Sequence, residues 1–286
     1  MVTDAAALAR AYRHCEHLAK AHYENFPVAS RLLPPAMRPH VAAIYAFARA
    51  ADDFADEPGR EAAERLRLLD DWGEQLRQAA SSADPIFIAL ANTIREHRLP
   101  IQLFEDLLSA FRQDVTTTRY ATWTDVLDYC RRSANPVGRL VLRVAGYDDP
   151  RLDTASDAVC TALQLTNFWQ DLERDWLIGR VYVPMDDRTR AAAVEEDLAA
   201  RSMTPPWQRV MASMSERTRA LFADGRRVCD GVSGRLRWEL RLTWLGGSRI
   251  LDKLELARFD VFNNRPRLGV GDVPTLFRDA IFWRTD

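Results

Sequence analysis

The sequence contains few of the features that mark disulfide-linked, fibrous, membrane-spanning or nucleic-acid-binding proteins. Its four cysteines are far apart and form no CxxC pair, which excludes a disulfide framework and a zinc ribbon. Only 12 glycines and 14 prolines occur in 286 residues, too few for collagen-like or proline-rich repeats. The formal net charge is −2, so there is no basic excess for nucleic acid. The longest apolar stretch, 41–51, is interrupted by Arg49 and is shorter than the ~20 residues of a membrane span.

The remaining composition is typical of a globular protein that buries one large core. Hydrophobic residues make up 47% of the chain and charged residues 28%. No repeat, low-complexity tract or linker divides the sequence, so we predict a single domain over residues 1–286. The N-terminus carries charges throughout and lacks the apolar core of a signal peptide. Together with reduced cysteines, this predicts a cytoplasmic protein.

The residue pattern predicts an all-α fold. Ala, Leu, Arg and Glu dominate, and alternation of β-branched residues is scarce. Two segments with prolines, 25–39 and 178–190, are predicted to be loops or broken connections. The predicted helices span residues 4–22, 39–57, 61–80, 85–97, 101–114, 123–131, 136–145, 151–176, 206–229, 233–263 and 273–282.

Polar side chains recur at helical spacing in two apolar segments, which we call the first and second carboxylate stripes. The first stripe consists of Tyr45, Arg49, Asp52 and Asp56. The second stripe consists of Gln164, Asn167, Asp171 and Asp175. At 100° per residue, each set falls on one narrow face of a helix.

Two aspartates at positions i and i+4 present oxygens on one face, and oxygens are the ligands that Mg²⁺ prefers. Two such helices facing each other across a bundle would hold Mg²⁺ ions over a diphosphate, with Arg49 adding positive charge and Tyr45 a hydroxyl donor. A single Asp-x-x-x-Asp is more often a solvated helix face. A second stripe among Leu, Phe and Trp residues is much harder to produce by chance, so the pair predicts a metal site.

Four segments carry a family resemblance that spans most of the chain. They are YAFARAADDFADE at 45–57, YCRRSANPVG at 129–138, LQLTNFWQDLERDWLIGRVYVP at 163–184 and GGSRILDKLELARFDVF at 246–262. These segments resemble the squalene/phytoene synthase family, the head-to-head trans-isoprenyl diphosphate synthases. The resemblance implies an isoprenoid-synthase helical bundle with a central hydrophobic cavity and a Mg²⁺-diphosphate site at one end.

The sequence departs from the condensing members of that family at two positions. The segment 22–30 has Glu24 and no lysine where phytoene-type members carry a serine- and lysine-containing stretch. Gln170 stands where condensing members often have arginine before the first aspartate of the second motif. Two fewer cations suit one diphosphate rather than two. With ENFPVAS, SANPVG and NFWQD, the chain resembles the hydroxysqualene synthase branch of bacterial hopanoid biosynthesis, which converts presqualene diphosphate to hydroxysqualene by ionisation and water capture.

The stripes and the resemblance together assign roles to individual residues. The expected metal ligands, which also act in catalysis, are Asp52, Asp56, Asp171 and Asp175, with Asn167 assisting. The expected diphosphate-binding residues are Tyr45, Arg49 and, as a further candidate, Arg249. The residues expected to face the hydrocarbon chain or the carbocation are Phe26, Tyr129 and Gln164, with Asn25 beside them as a substrate-binding candidate.

Several alternatives stay open. A condensing sibling (presqualene diphosphate, phytoene or dehydrosqualene synthase) is the nearest rival function, and a non-catalytic helical binding protein is a rival of another class. His14, Cys15 and His17 are interpreted as part of a surface helix rather than a zinc site. A C30 substrate favours peripheral contact with the inner face of the cell membrane, for which Trp207 is a candidate anchor, although packing of Trp207 in its own bundle is favoured. Functional coupling to other squalene and hopanoid enzymes is left open.

Overall fold

A computed structural model describes residues 4–21, 32–57 and 59–283 of the chain. Almost all regular structure in these ranges is α-helical, and their one β-type pairing is an isolated bridge between Arg119 and Val181. The predicted all-α fold is confirmed. None of the described helices combines the length and the apolarity needed to cross a membrane.

The described residues contain fifteen α-helices. In chain order these are α1 (Ala5–Ala21), α2 (Arg38–Asp56), α3 (Ala62–Arg77), α4 (Pro85–His97), α5 (Ile101–Thr116), α6 (Trp123–Ser133), α7 (Asn135–Val144), α8 (Pro150–Gln170), α9 (Leu172–Leu177), α10 (Met185–Ala191), α11 (Glu195–Ala199), α12 (Pro205–Gly225), α13 (Val228–Gly231), α14 (Gly234–Leu256) and α15 (Val273–Ile281).

The chain groups into two compact units, which we describe separately. The first unit comprises Met1–Thr116 and Pro136–Asp153, and the second comprises Thr117–Asn135 and Thr154–Asp286. The first carboxylate stripe lies in the first unit and the second stripe in the second. That residues 1–286 act as a single domain stays a prediction.

Helix α2 is the central element of the first unit, where it packs against α1, α3, α4 and α5. Phe47 of α2 is fully buried and contacts the rings of Trp72, Phe87 and Phe104. The indole nitrogen of Trp72 donates a hydrogen bond of 3.3 Å to the Phe47 carbonyl oxygen. This aromatic core fixes the rotation of α2, because burying Phe47 leaves the face with Arg49 only partly covered.

In the second unit, α8 and α12 approach each other so closely that a glycine is required. A Cβ atom on Gly225 would lie 2.6 Å from the Val159 side chain and 2.7 Å from the Ala155 carbonyl oxygen. Farther along the same two helices, the fully buried Trp169 donates a hydrogen bond of 2.9 Å to the Thr218 hydroxyl. Trp169 precedes the second stripe's first aspartate by two residues, so this contact positions that stripe.

The predicted helix over 151–176 is interrupted at Asp171, which is a correction to the sequence analysis. Asp171 has φ −101° and ψ 12°, and it separates α8 from α9. Aspartate is a poor helix former, and here its side chain takes a partner from a distant part of the chain. The predicted helix over 233–263 likewise ends early, at Leu256, because Arg258 and Phe259 adopt positive φ angles of 50° and 60°.

The prediction of a loop over 178–190 is wrong for its second half, which forms α10, and α11 was not predicted. Pro184 precedes α10, and Asp186 and Asp187 occupy its first turn, which is a helix-start pattern in the sequence. The 206–229 prediction covers two helices, since α12 ends at Gly225 and α13 follows. Short helices of this kind depend on tertiary contacts more than on propensity.

A charged cluster joins the chain before α6 to α10 and α11. The Arg119 guanidinium donates hydrogen bonds of 2.7 and 2.9 Å to the Glu195 carboxylate, and buried Arg188 donates a third of 2.7 Å. The hydrogen bond from Arg119, followed by that from Arg188, lowers the pKa of Glu195 to about 2. Glu195 therefore fastens three separate segments of the second unit together.

We expect Glu195→Gln to lower the free energy of unfolding at pH 7 by about 1–2 kcal/mol, a value reduced for partial exposure. A carboxylate with a lowered pKa stabilises the fold above its unfolded-state pKa and loses that effect as pH falls through the folded value. The stability difference from the wild type should therefore be full above about pH 5 and should disappear towards the folded pKa of about 2. Urea unfolding between pH 7 and pH 3 measures it. Glu196→Gln changes an exposed neighbour and is the control. An equal loss of stability in both variants would contradict the role of Glu195 in holding the three segments together.

Candidate active site

The first carboxylate stripe lies along the half-buried face of α2. Arg49 forms ion pairs with two carboxylates of the next turn, at 2.6 Å to Asp53 and 3.4 Å to Asp52. Tyr45 and Asp52 are partly buried, and Asp56 is exposed at the helix end. The sequence analysis gave Asp53 no role, although its i+4 spacing from Arg49 indicated this pair.

Burial and neighbouring charges set the protonation of this stripe. Burial acts to lower the pKa of Arg49, but the nearby carboxylates of Asp52 and Asp53 outweigh it, and the pKa of Arg49 is raised. Burial, assisted by the same two carboxylates, raises the pKa of Tyr45, against the effect of Arg49. At neutral pH the stripe therefore presents a firmly charged guanidinium and a protonated phenol, both of which can donate to an anionic ligand.

The second carboxylate stripe keeps its helical spacing across the break at Asp171. The Asp171 N–H donates to the Asn167 carbonyl oxygen at 2.8 Å, and the Asp175 N–H donates to the Asp171 carbonyl oxygen at 2.9 Å. Gln164 and Asn167 are partly buried on α8, whereas Asp171 is buried, with 8% of its surface exposed. A buried carboxylate requires a cationic or hydrogen-bonding partner.

Arg265 is that partner, and the sequence analysis missed it. Its guanidinium donates hydrogen bonds of 2.5 and 3.0 Å to the two carboxylate oxygens of Asp171, a bidentate pair. The adjacent Pro266 carbonyl oxygen accepts a hydrogen bond of 2.5 Å from the Gln170 side chain. The segment NNRPR at 263–267 thus lies against the second stripe. Only its position after the last family motif could have pointed to it.

Four buried aromatic rings lie beside the second stripe: Tyr120, Tyr129, Phe168 and Tyr182. Phe168 and Tyr182 are stacked, with ring centroids 3.6 Å apart and planes 4° from parallel. Tyr129 lies 6.0 Å from Phe168 and 5.8 Å from Tyr182. Phe168 follows Asn167 directly in α8, so the aromatic cluster contacts the helix that carries this predicted metal ligand. The faces of aromatic rings attract cations.

Other predicted residues have different surroundings. Arg249 forms an ion pair of 3.2 Å with Asp272, and Lys253 forms one of 2.5 Å with the same carboxylate. This pairing does not favour a contact between Arg249 and diphosphate, which stays a prediction. Trp207 is fully buried and donates a hydrogen bond of 2.8 Å to the Val194 carbonyl oxygen. The prediction that Trp207 anchors the protein to a membrane is therefore wrong. Asn25 and Phe26 lie outside the described residues.

The donor chemistry of the two stripes suits a hard cation. Their carboxylate and amide oxygens are ligands that Mg²⁺ accepts, and no sulfur or ring nitrogen belongs to either set. The first unit offers a charged guanidinium and a phenol donor beside its aspartates, and the second unit offers aspartates and an aromatic cluster. Side chains of these kinds are suited to removing a diphosphate and stabilising a carbocation.

Comparison with known proteins agrees with this class. The sequence profile of the squalene/phytoene synthase family matches residues 19–272. Hydroxysqualene synthase of Rhodopseudomonas palustris is 36% identical over 234 residues, 81% of this chain and 80% of the relative. Phytoene synthase of Arthrospira platensis is 29% identical, covering 89% of this chain and 87% of the relative. The crystal structure of squalene synthase HpnC from Alicyclobacillus acidocaldarius shares 40% identity with a TM-score of 0.84, covering 90% of this chain and 97% of that one.

The fold and the two stripes define an isoprenoid-processing enzyme of the all-α class. The chain belongs to the squalene/phytoene synthase family. Members of this family process prenyl diphosphates and are generally dependent on a divalent metal.

We expect Arg265→Gln to destabilise the protein by about 2 kcal/mol, because it leaves the buried Asp171 carboxylate without its bidentate partner. Mg²⁺ should recover more stability in this variant than in the wild type, since the cation no longer competes with a guanidinium for Asp171. Thermal melting with and without Mg²⁺ measures both effects. Arg174→Gln is the matched control, because Arg174 is exposed and 3.6 Å from the same carboxylate. An equal Mg²⁺ response in all three proteins would argue against cation binding at Asp171.

Proposed function

We propose that this protein is a hydroxysqualene synthase. In this reaction the C–O bond of presqualene diphosphate breaks and its electron pair leaves on the diphosphate. The carbocation rearranges, and water adds through its oxygen and loses a proton to give hydroxysqualene. The observation that carries the proposal is the set of relatives named hydroxysqualene synthase, at 36% and 39% identity. It is supported by Gln170, which stands at a position where condensing members often have an arginine. The Gln170 side-chain amide donates a hydrogen bond to the Pro266 carbonyl oxygen.

The donor set of the two stripes fits Mg²⁺, and we propose Asp52, Asp56, Asn167, Asp171 and Asp175 as its ligands. Bound Mg²⁺ would supply positive charge that stabilises the departing diphosphate. The chain's own residues have separate tasks.

Arg49 and the Tyr45 hydroxyl donate to phosphate oxygens. The Arg265 guanidinium, now bonded to Asp171, would be free to bind an anion beside the second stripe if Asp171 held a metal ion instead. Gln164 and Arg249 stay candidate substrate contacts.

The buried rings beside Asn167 are suited to the carbocation. Tyr129, Phe168 and Tyr182 offer faces that attract positive charge and contain no strong nucleophile that would capture it. Their burial also keeps bulk water away, so that quenching is limited to water admitted to the site. Tyr129 is in this proposal the catalytic aromatic residue.

The rival functions differ in which substrate they consume. Phytoene synthases are among the relatives at 29% identity, so a condensing reaction on two diphosphates is the second candidate. A dehydrosqualene synthase structure shares the fold, with a TM-score of 0.84 at 22% identity. A non-catalytic binding protein would release no diphosphate from either substrate.

We expect the protein with Mg²⁺, and without any nicotinamide, to convert presqualene diphosphate to hydroxysqualene and to leave farnesyl diphosphate untouched. Asp52→Asn and Asp171→Asn should each lower turnover about 100-fold or more, because each removes a ligand without changing core volume. Product chromatography and diphosphate release give the result, and circular dichroism checks the fold.

The matched controls are Asp71→Asn and Asp224→Asn, two exposed aspartates outside the stripes. Consumption of farnesyl diphosphate would support a condensing enzyme instead. Absence of metal-dependent diphosphate release from both substrates would leave the binding-protein alternative.

We also propose peripheral contact with the inner face of the cell membrane, through α15. Val273, Phe277 and Ile281 are exposed at a spacing of four residues, and Val270 before them and Phe282 after them are exposed as well. A C30 hydrocarbon substrate partitions into a bilayer, at about 0.8 kcal/mol per buried CH₂. An apolar helix face at the protein surface would let the enzyme take its substrate from that bilayer. Coupling to other squalene and hopanoid enzymes would follow from a shared membrane.

We expect the protein to co-sediment with phospholipid vesicles loaded with presqualene diphosphate. The double variant Phe277→Ser/Ile281→Ser should reduce the bound fraction about tenfold, because two apolar side chains no longer enter the lipid. Leu256→Ser is the control, since Leu256 is an exposed leucine at the end of α14 and does not belong to the α15 face. Wild-type protein that stays in the supernatant, or equal loss in the control, would refute contact through α15.

A further inference from the structure

A group of metal-ligand side chains lies in the first unit, away from the residues of either stripe. His40 is in the first turn of α2, and Glu96 and His97 are the last two residues of α4. One ligand atom from each residue lies within 4.8 Å of the others. His40 Nε2 is 3.8 Å from a Glu96 carboxylate oxygen, and the ring centroids of His40 and His97 are 4.3 Å apart.

The atoms of His40 and Glu96 that point away from this group are already engaged. His40 Nδ1 is 3.0 Å from the Thr93 hydroxyl and 3.1 Å from the Tyr12 hydroxyl, which directs Nε2 towards Glu96. One carboxylate oxygen of Glu96 accepts a hydrogen bond of 3.2 Å from the Asn92 side chain, which leaves the other oxygen on the His40 side. Second contacts of this kind are what orient histidine and carboxylate ligands in protein metal sites.

The group has an unmet polar requirement. His97 Nε2 is fully buried and has no hydrogen-bond partner within the described part of the chain. Within the described residues, no lysine or arginine forms an ion pair with Glu96. A buried ring nitrogen without a partner costs free energy, which a bound cation would remove.

We propose that His40, Glu96 and His97 bind a first-row transition-metal ion of the Zn²⁺ type. Two ring nitrogens and one carboxylate oxygen form a three-ligand zinc set, with a further position for water. Mg²⁺ is disfavoured here because two of the three donors are nitrogen. Ligand atoms around tetrahedral zinc are about 3.3 Å apart, so the group must contract, and half-exposed Glu96 is the side chain with freedom to move.

The ion would act structurally. It would join the first turn of α2 to the last turn of α4, with α1 contributing through Tyr12. Helix α2 carries the first carboxylate stripe, so the metal would fasten the N-terminal end of the helix on which that stripe lies. This role does not depend on which substrate the enzyme uses.

The test measures Zn²⁺ binding to the full chain in millimolar Mg²⁺, which occupies the oxygen-ligand sites. Titration calorimetry should show one Zn²⁺ per chain, and melting temperature should rise with Zn²⁺ beyond the effect of Mg²⁺. Co²⁺ in place of Zn²⁺ should give visible absorption bands typical of nitrogen ligation at low coordination number. The proposal would be overturned if the wild-type protein bound no Zn²⁺ at micromolar concentration or gave no such Co²⁺ bands.

The variants His97→Gln and Glu96→Gln should each weaken Zn²⁺ binding at least about tenfold. His14→Gln and His17→Gln are the matched controls, since both histidines are exposed on α1 and should leave affinity unchanged. Asp52→Asn should leave the Co²⁺ bands unchanged, which separates this group from the first stripe. Equal affinity in His97→Gln and the wild type would refute the assignment, and the wild-type Co²⁺ spectrum decides the question if that variant does not fold.

Discussion

Carboxylates carried on helices with apolar faces must be matched by cations, and much of this structure follows from that requirement. Arg49 matches Asp52 and Asp53 on α2, and Arg265 reaches across 94 residues of sequence to match buried Asp171. Arg119 and Arg188 do the same for Glu195. Each guanidinium fixes the position of an acidic group and replaces the water that would otherwise solvate it. Each stripe therefore combines oxygen atoms of the kind that Mg²⁺ accepts with nearby positive charge suited to an anion.

The sequence predicted what depends on local pattern. The all-α class follows from composition and periodicity, and α4 begins at Pro85 and ends at His97 as predicted, because Asp84 caps it and Arg98 adopts a left-handed conformation after it. The stripes follow from spacing alone. Local pattern also contains signals for α10, namely Pro184 at its start and two aspartates in its first turn.

What the sequence could not predict depends on distant partners. The break at Asp171 accompanies a bidentate contact with a residue in another part of the chain, and the pairing of Arg249 with Asp272 spans 23 residues. Trp207 has the composition of an interfacial anchor but is buried by its own unit. His40 is on α2 and His97 is on α4, with α3 between them in the sequence, so nothing in their spacing indicates that their rings meet. These pairings become visible only when the helices are packed.

The break at Asp171 has a mechanical consequence for the second stripe. Within an uninterrupted helix, the separation of side chains at i and i+4 is set by the helix and changes only if the whole helix bends. Here the backbone torsions of one residue lie between the segment that carries Asn167 and the segment that carries Asp175. A small rotation at Asp171 therefore adjusts the spacing of three oxygen donors while the packing of Trp169 against Thr218 stays intact. Asp171, the most deeply buried of the proposed ligands, is thus also the residue about which Asn167 and Asp175 can shift relative to each other.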